Sequence, residues 1–425
     1  MRTLATLLLA ACLLPAQTLE DRIRALEEGS RAPEPAAREV NDVQFWYDGH
    51  LRFRTKDHAF TGSIGAYVVV HGIFFDRLNE SDQVDTIQLR EAGLEMRARL
   101  DRSWEVYVDI GPQEGTAVRL IYGWVEFNRW PELRLRAGLF KEPISLETLE
   151  DTRWWDFPEN SIVYMHAPLP DLGFMVHGRA FDGFLGYAAG VFNGAAPGPR
   201  DENSDKDVAG RVQLTPSAVL GWGPLAHLHV AASATHGRHR THDVTPFPFQ
   251  DPATDTDFHR PAGPTDYEVE DLTRLAADGA LLLGPLEVKA EYSRFLADID
   301  FAGEHRRFRS TGWYVQAGGW IGGRRIPGGV PEVDAPLFSG GWGALQGAFR
   351  YARLRMEDDF RDKAGFIGAR SLEEFAVVVN WFPNEHVRVT GEYLFVSYES
   401  GHAFLPSGRR IADESVWIFR VQISF

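Results

Sequence analysis

The chain has 425 residues, enough for a large core or a wide barrel. Its formal charge of -16 excludes a nucleic-acid partner, because phosphate backbones need a basic face. It is 44% hydrophobic and 12% aromatic, with a mean hydropathy of -0.25, and after the first twenty residues no run of eighteen apolar residues occurs, so helical membrane spans are excluded.

The first predicted element is a leader at residues 1–16: Arg2, an apolar stretch from Leu4 to Leu14, then Pro15-Ala16, with cleavage near Ala16. Leu9-Ala10-Ala11-Cys12 resembles a lipobox, so lipidation at Cys12 is the alternative. Cys12 is the only cysteine, and the mature chain has no disulfide. Within 17–40, Leu19, Ile23 and Leu26 share one face of a short amphipathic helix, followed by Gly29 and a linker marked by Pro33 and Pro35. Two turns are too few for a stable isolated helix, so a frayed tail and an oligomerising stalk both remain open.

From residue 41 to 425 the period changes to two. Leu94, Met96, Ala98 and Leu100 alternate with Glu95, Arg97 and Arg99; Leu133, Leu135, Ala137 and Leu139 alternate with Arg134 and Arg136. In the last stretch Trp417, Phe419, Val421, Ile423 and Phe425 alternate with Ile418, Arg420, Gln422 and Ser424. One greasy face and one polar face on strand after strand predict an all-β fold, a transmembrane antiparallel β-barrel with a watery interior. Strand-like segments fall at 44–54, 60–75, 85–100, 102–111, 116–128, 132–140, 171–180, 183–193, 207–214, 225–236, 268–283, 285–298, 308–322, 341–356, 371–382, 386–398 and 413–425. These are seventeen, and a single-chain barrel has an even number, so at least one assignment is wrong; about sixteen strands are expected, with eighteen as the alternative. Short turns such as Leu100-Asp101-Arg102 and Gly284-Pro285 contrast with long polar connections at 194–206, 237–267, 323–338 and 399–412, the asymmetry of two barrel ends.

Several blocks in order carry a resemblance. Leu135-Arg136-Ala137-Gly138-Leu139-Phe140-Lys141-Glu142-Pro143-Ile144-Ser145-Leu146-Glu147 resembles a strand-to-loop motif of the phosphate-selective porin O and P family. Leu172-Gly173-Phe174-Met175-Val176-His177-Gly178, Tyr187-Ala188-Ala189-Gly190-Val191-Phe192-Asn193-Gly194 and Ser310-Thr311-Gly312-Trp313-Tyr314-Val315-Gln316-Ala317-Gly318-Gly319-Trp320 resemble later strands of that family. The resemblance spans about Asp48 to Phe425. It implies a sixteen-stranded outer-membrane channel, usually a homotrimer, with loops folded into the pore and phosphate or polyphosphate passing rows of arginine and lysine. Two features depart from the family pattern: Phe157-Pro158-Glu159-Asn160 stands where the family often has Glu-Arg, and the same loop carries Glu142, Glu147, Glu150, Asp151, Asp156 and Glu159 against Lys141 and Arg153.

The segment at about 141–170, with Pro143, Pro158, Pro168, Pro170 and Trp154-Trp155, is the expected inward-folded constriction loop; an outer loop packed on a neighbouring subunit is the alternative. Arg134, Arg136, Lys141, Arg153, Arg97, Arg99, Arg119 and Arg388 are the candidate pore-lining and selectivity residues. A row of arginine favours anions, whereas pairing with Glu95, Glu105, Asp109 and Glu392 would stiffen the wall and select little. His236, His239 and His242 read as a solvated tract rather than a metal site, and Asp201 to Asp207 lacks the glycine and glutamate of a calcium loop. Trp104, Trp124, Trp130, Trp381 and Trp417 are expected in the interfacial girdles. No cofactor or metal is expected. The expected function is passive diffusion of small solutes, with inorganic anions such as phosphate preferred, through a protein that contacts outer-membrane lipid and lipopolysaccharide. The alternatives are a general or cation-preferring porin and a soluble or surface β-rich binding protein. An enzyme reading needs a serine beside a histidine on the outer wall, and neither Ser293 nor Ser397 lies in a nucleophile motif.

Overall fold

The computed structural model describes residues 43–76, 83–112, 117–194, 204–216, 227–241, 249–250, 254, 256–261, 267–301, 304–357, 366–399, 402–405 and 407–425. The expected leader with Cys12, the amphipathic helix and its linker lie outside these residues. The wall lies within the unit Phe45–Phe425.

Sixteen antiparallel strands form the wall. They are β1 (Phe60–Phe75), β2 (Thr86–Leu100), β3 (Trp104–Pro112), β4 (Val118–Trp130), β5 (Leu133–Phe140), β6 (Asp171–Ala180), β7 (Leu185–Phe192) and β8 (Asp207–Leu214). They continue as β9 (His229–Thr241), β10 (Tyr267–Leu283), β11 (Leu286–Phe301), β12 (Glu304–Ile321), β13 (Ala344–Met356), β14 (Ser371–Asn384), β15 (Val387–Glu399) and β16 (Asp413–Ser424). β16 pairs with β1 from Val416↔Phe75 to Ser424↔Tyr67, so the sheet closes and both free edges disappear. Phe425 extends that ladder: its N–H donates to the Ala66 carbonyl at 2.9 Å, and its carbonyl accepts from Ala66 N–H at 2.8 Å.

The surplus segment is 44–54. Its part Leu51–Thr55 pairs with the start of β1, from Leu51↔Ile64 to Arg54↔Thr61, along the stretch of β1 that precedes its partners in β16. It is no wall strand.

Alternation sorts the side chains as the period demands. Phe419 is 49% exposed, whereas its neighbour Arg420 is 1% exposed, and the same contrast runs along β16. The apolar face meets lipid, and each backbone group is bonded within the closed sheet, the only strand-based way to cross hydrocarbon. Trp104, Trp130 and Trp417 are exposed on the outer surface. Trp124 is not: it faces the interior, which corrects its assignment to the girdle.

Tight turns at 101–103, 131–132, 181–184, 284–285 and 385–386 occupy the end that carries Phe425. Asp101 with Arg102, and Phe181 with Asp182, have φ between 49° and 54°, left-handed geometry that lets the chain reverse within three or four residues. The segment 323–338, expected among the long outer loops, lies at this turn end between β12 and β13. β9 runs on to Thr241, so His236 and His239 are strand residues rather than loop residues; His242 and Asp201–Asn203 lie outside the described residues. At the opposite end a small sheet of Phe249–Gln250, Asp257–Pro261, Phe366–Gly368, Ala403–Phe404 and Arg410–Ile411 ties three long connections together.

The interior is not watery throughout. Phe157, Ile162 and Val163 pack with Leu272, Phe295, Phe308, Leu354, Leu372, Leu394 and Val396 in one buried apolar cluster. Charged alternation in β2, β5 and β16 is therefore no guide to the inner faces of β10–β15, which are largely apolar toward the loop end.

A charge placed in the lipid-facing belt tests this arrangement. Val421→Arg, midway along the apolar row of β16, is expected to destabilise the barrel by about 2–4 kcal/mol, read by denaturant unfolding in lipid vesicles.

Candidate functional site

The segment 141–170 leaves β5 at the loop end and crosses the barrel interior. It holds one helical turn, Leu146–Leu149, and two 3-10 turns, Thr152–Trp154 and Ile162–His166. Ser145 starts the helical turn, its Oγ accepting from Thr148 N–H at 3.2 Å. Glu291 of β11 accepts from the N–H groups of Leu146 and Glu147 at 2.9 and 3.3 Å, setting a carboxylate against orphan donors.

So little regular structure leaves many backbone groups that need partners, and the wall supplies them. Arg388 donates to the carbonyls of Arg153, Trp155 and Asp156 at 3.2, 2.6 and 2.8 Å. Arg350 donates to the carbonyls of Glu159 and Asn160, both at 3.2 Å, and its Nε donates to Glu374 at 2.6 Å. Asn380 donates to the Asp156 carbonyl at 2.8 Å. Ile162 N–H donates to Glu374 at 2.8 Å.

The segment's acidic side chains are anchored in the same direction. Asp156 meets Lys289 Nζ at 3.0 Å, Arg325, and the amides of Gln316 and Gln346. Arg325 comes from the turn-end connection between β12 and β13, so that connection reaches the segment from the other side. Glu159 accepts from Arg90 at 3.0 Å and lies 3.1 Å from His71 Nδ1. Glu147 accepts from Ser161 N–H and Oγ at 2.8 and 2.7 Å. Burial pushes Asp156 and Glu159 upward, but Arg325 and Lys289 hold Asp156 well below the usual carboxylate range, and Arg90 with His71 hold Glu159 at about 2.

Because the segment docks on the β10–β16 wall, open space remains along β2–β8. That cavity is about 910 Å³. Around it, among the described residues, stand nine basic side chains, Arg97, Arg99, Arg102, Arg134, Arg136, Lys141, Arg153, Arg179 and Arg211, against five acids, Glu91, Glu105, Asp109, Glu126 and Asp151.

The carboxylates are shared. Glu105 takes both Arg97 and Arg99, at 2.8 and 2.7 Å. Glu126 takes Arg136 and His177, at 2.6 and 2.9 Å. Arg153 is bound to Asp151 and Glu95, and Lys141 Nζ donates to the Glu150 carbonyl at 2.7 Å. Arg134 Nε has no hydrogen-bond partner among the described residues, and Arg102 and Arg179 form no ion pair among them.

Of the eight residues singled out in the sequence, the structure brings Arg97, Arg99, Arg134, Arg136, Lys141 and Arg153 around one space. Arg388 is 2% exposed and is spent on loop carbonyls rather than on the open space. Arg119 sits at the loop end of β4 opposite Gly111, outside the cavity lining. Sequence reasoning missed Arg102, Arg179 and Arg211. Arg179 sits on β6, across from the basic run of β5, and the basic alternation seen in neighbouring strands was the available signal.

A serine does meet a histidine, contrary to the motif reading. His166 Nδ1 is 2.7 Å from Ser293 Oγ and its Nε2 is 2.9 Å from Ser310 Oγ. The pair is buried inside the barrel, and both ring nitrogens face hydroxyls, so among the described residues no carboxylate orients the ring as a nucleophilic triad requires. Among the described residues no cluster of His, Cys, Asp or Glu fits a metal ion.

Residues 70–403 match the model of the family described as phosphate-selective porin O and P. Among solved structures, the outer membrane channel DcaP of Acinetobacter baumannii shares the fold with a TM-score of 0.55 at 10% identity, over 88% of this chain and 99% of that one. An anion-selective porin from Comamonas acidovorans follows at 0.54 and 10% identity, over 86% and 100%. In-vitro folded OmpT of Vibrio cholerae in its trimer form matches at 0.53 and 12% identity, over 86% and 100%. No curated protein matches the sequence.

Two outcomes test the anchoring. Asp156→Ala leaves Lys289 and Arg325 short of a buried countercharge and is expected to cost about 3–5 kcal/mol in unfolding free energy. Both Asp156 and Glu159 are depressed in the fold, so their stabilisation is present above the ordinary carboxylate range, near 4.5 for Glu159, and is lost as the pH falls toward about 2. Proteolysis within 141–170 should therefore rise between those limits while β-sheet circular dichroism persists.

Proposed function

As a member of the phosphate-selective porin O and P family, the chain is an integral outer-membrane porin, and we propose that it passes small anions, phosphate among them, by passive diffusion along the β2–β8 side of its lumen. The observation that carries this reading is the excess of basic over acidic side chains around the open space, against a chain whose overall charge is -16. A confined lining of one sign concentrates counter-ions and repels co-ions.

Among the acids of the inward segment only Asp151 lines the open space, and it is paired with Arg153. Glu142, Glu147, Asp156 and Glu159 are buried, and the segment turns Lys141, Asp151 and Arg153 toward the open space. In this reading 141–170 is the constriction, and Arg388 positions it without meeting the solute. Arg134, Arg102 and Arg179 at the turn end supply uncompensated charge. Guanidinium groups suit oxyanions because their planar donors match two oxygens at once.

We also propose that the protein works as a homotrimer whose exposed apolar belt otherwise contacts lipid and, in the outer leaflet, lipopolysaccharide. The belt is broad and continuous, and a protein of the same fold, OmpT, has a trimer form.

Planar-bilayer recordings in a potassium chloride gradient test the selectivity. The reversal potential is expected to take the anion sign, and Arg134→Gln to move it toward zero with little change in stability. A cation-sign potential in the native protein would sink the reading. Phosphate added to one side should reduce chloride current if phosphate enters the same path.

A further inference from the structure

Trp124 stands in the interior at the middle of a ring-and-guanidinium column that crosses four strands. Arg97 of β2, Tyr107 of β3 and Trp124 of β4 are direct cross-strand partners, and Gly138 of β5 completes the row. The Tyr107 and Trp124 rings lie 5.4 Å apart. The Arg97 guanidinium sits 5.1 Å over Tyr107 and 6.0 Å over Trp124. The Arg136 guanidinium lies 4.1 Å over Trp124 and 5.5 Å over Phe140.

Gly138 is needed here. Its φ is 134°, and a Cβ at that position would fall 2.2 Å from the Gly123 carbonyl oxygen and 2.6 Å from Trp124 Cα. The row thus ends without a side chain, and Arg136, two residues back on the same face, lies on the indole.

A carboxylate that holds an arginine cancels its charge. An aromatic face holds it and leaves the charge in place. Arg97 shares Glu105 with Arg99, and Arg136 meets Glu126 through Nε and Nη2 at 2.7 and 2.6 Å, so each guanidinium is held at one edge by a carboxylate and across its face by a ring. We propose that Trp124 is the positioning residue that sets anion preference. It props two like charges from different strands at fixed places and leaves the remaining N–H edges of both guanidinium groups facing the open space. Without it, each side chain keeps only its edge contact to the carboxylate, its free N–H groups lose their fixed aim at the open space, and the field in the bore weakens. This rests on the anion reading above and adds that an uncharged residue determines its strength.

The test compares reversal potentials of the full-length protein in a potassium chloride gradient for the native chain, Trp124→Leu, Trp124→Phe and the double variant Arg97→Gln/Arg136→Gln. The double variant is expected to move the potential toward zero. Trp124→Leu should move it most of that way although no charge has changed, and Trp124→Phe should stay near the native value. A shift in the double variant with none in Trp124→Leu overturns the inference and leaves the anion reading standing. Equal loss in Leu and Phe variants also overturns it, since a ring face would then not matter. No shift in the double variant overturns the contribution of these arginines and, with it, both readings. If Trp124→Leu does not insert, Tyr107→Leu carries the same comparison for the Arg97 half of the column.

Discussion

An irregular segment of about thirty residues inside a barrel must find hydrogen-bond partners for a backbone that makes few of its own. Every other feature of the interior follows from how that demand is met. One helical turn and two 3-10 turns satisfy only part of 141–170. The remainder is bonded by wall side chains with several donors each. Arg388 and Arg350 suit this task because a guanidinium reaches several carbonyls at once from a fixed plane. Those arginines are consumed by structure. The segment is pressed against one wall, and an apolar cluster centred on Phe157, Ile162 and Val163 seals the contact.

Docking on one side partitions charge as well as space. Where the segment docks, buried acids are matched: Asp156 is met by Lys289 and Arg325, and Glu159 by Arg90 and His71. The bases that remain on the β2–β8 side outnumber the acids there. Net charge over the whole chain is therefore a poor guide to the field in the bore. A strongly acidic protein can present a basic path when its carboxylates are held and matched elsewhere.

The wall was legible in the sequence because each strand announces itself locally. Period two, an aromatic or aliphatic face and short turns pick out all sixteen segments, and only 44–54 was surplus. The side of each connection was read from length, which misplaced 323–338: as the connection after the twelfth strand it lies at the turn end despite being long. The content of the lumen was not legible. Arg136 and Arg388 occupy equivalent inward positions in similar alternating strands, and what separates their roles is a contact between residues more than two hundred positions apart. Trp124 reads as a girdle residue for a related reason: an aromatic residue near a strand end looks the same whether it faces lipid or lumen until the register of its neighbours is known.

The two ways of holding an arginine divide the interior into a structural half and an open half. Behind the segment, guanidinium groups are buried against carboxylates and carbonyls, where a full complement of partners offsets the cost of desolvation. Facing the bore, Arg97 and Arg99 share Glu105, and Arg97 and Arg136 also lie against aromatic rings. Partial pairing leaves positive charge facing the open space, whereas complete pairing would cancel it. The strands that bear it, β2 to β5, are also joined by tight turns at the end where Arg102, Arg134 and Arg179 gather. Short turns fix the register of neighbouring strands, and register decides which ring meets which guanidinium. Precision in the wall thereby becomes precision in the field, without any residue having to move.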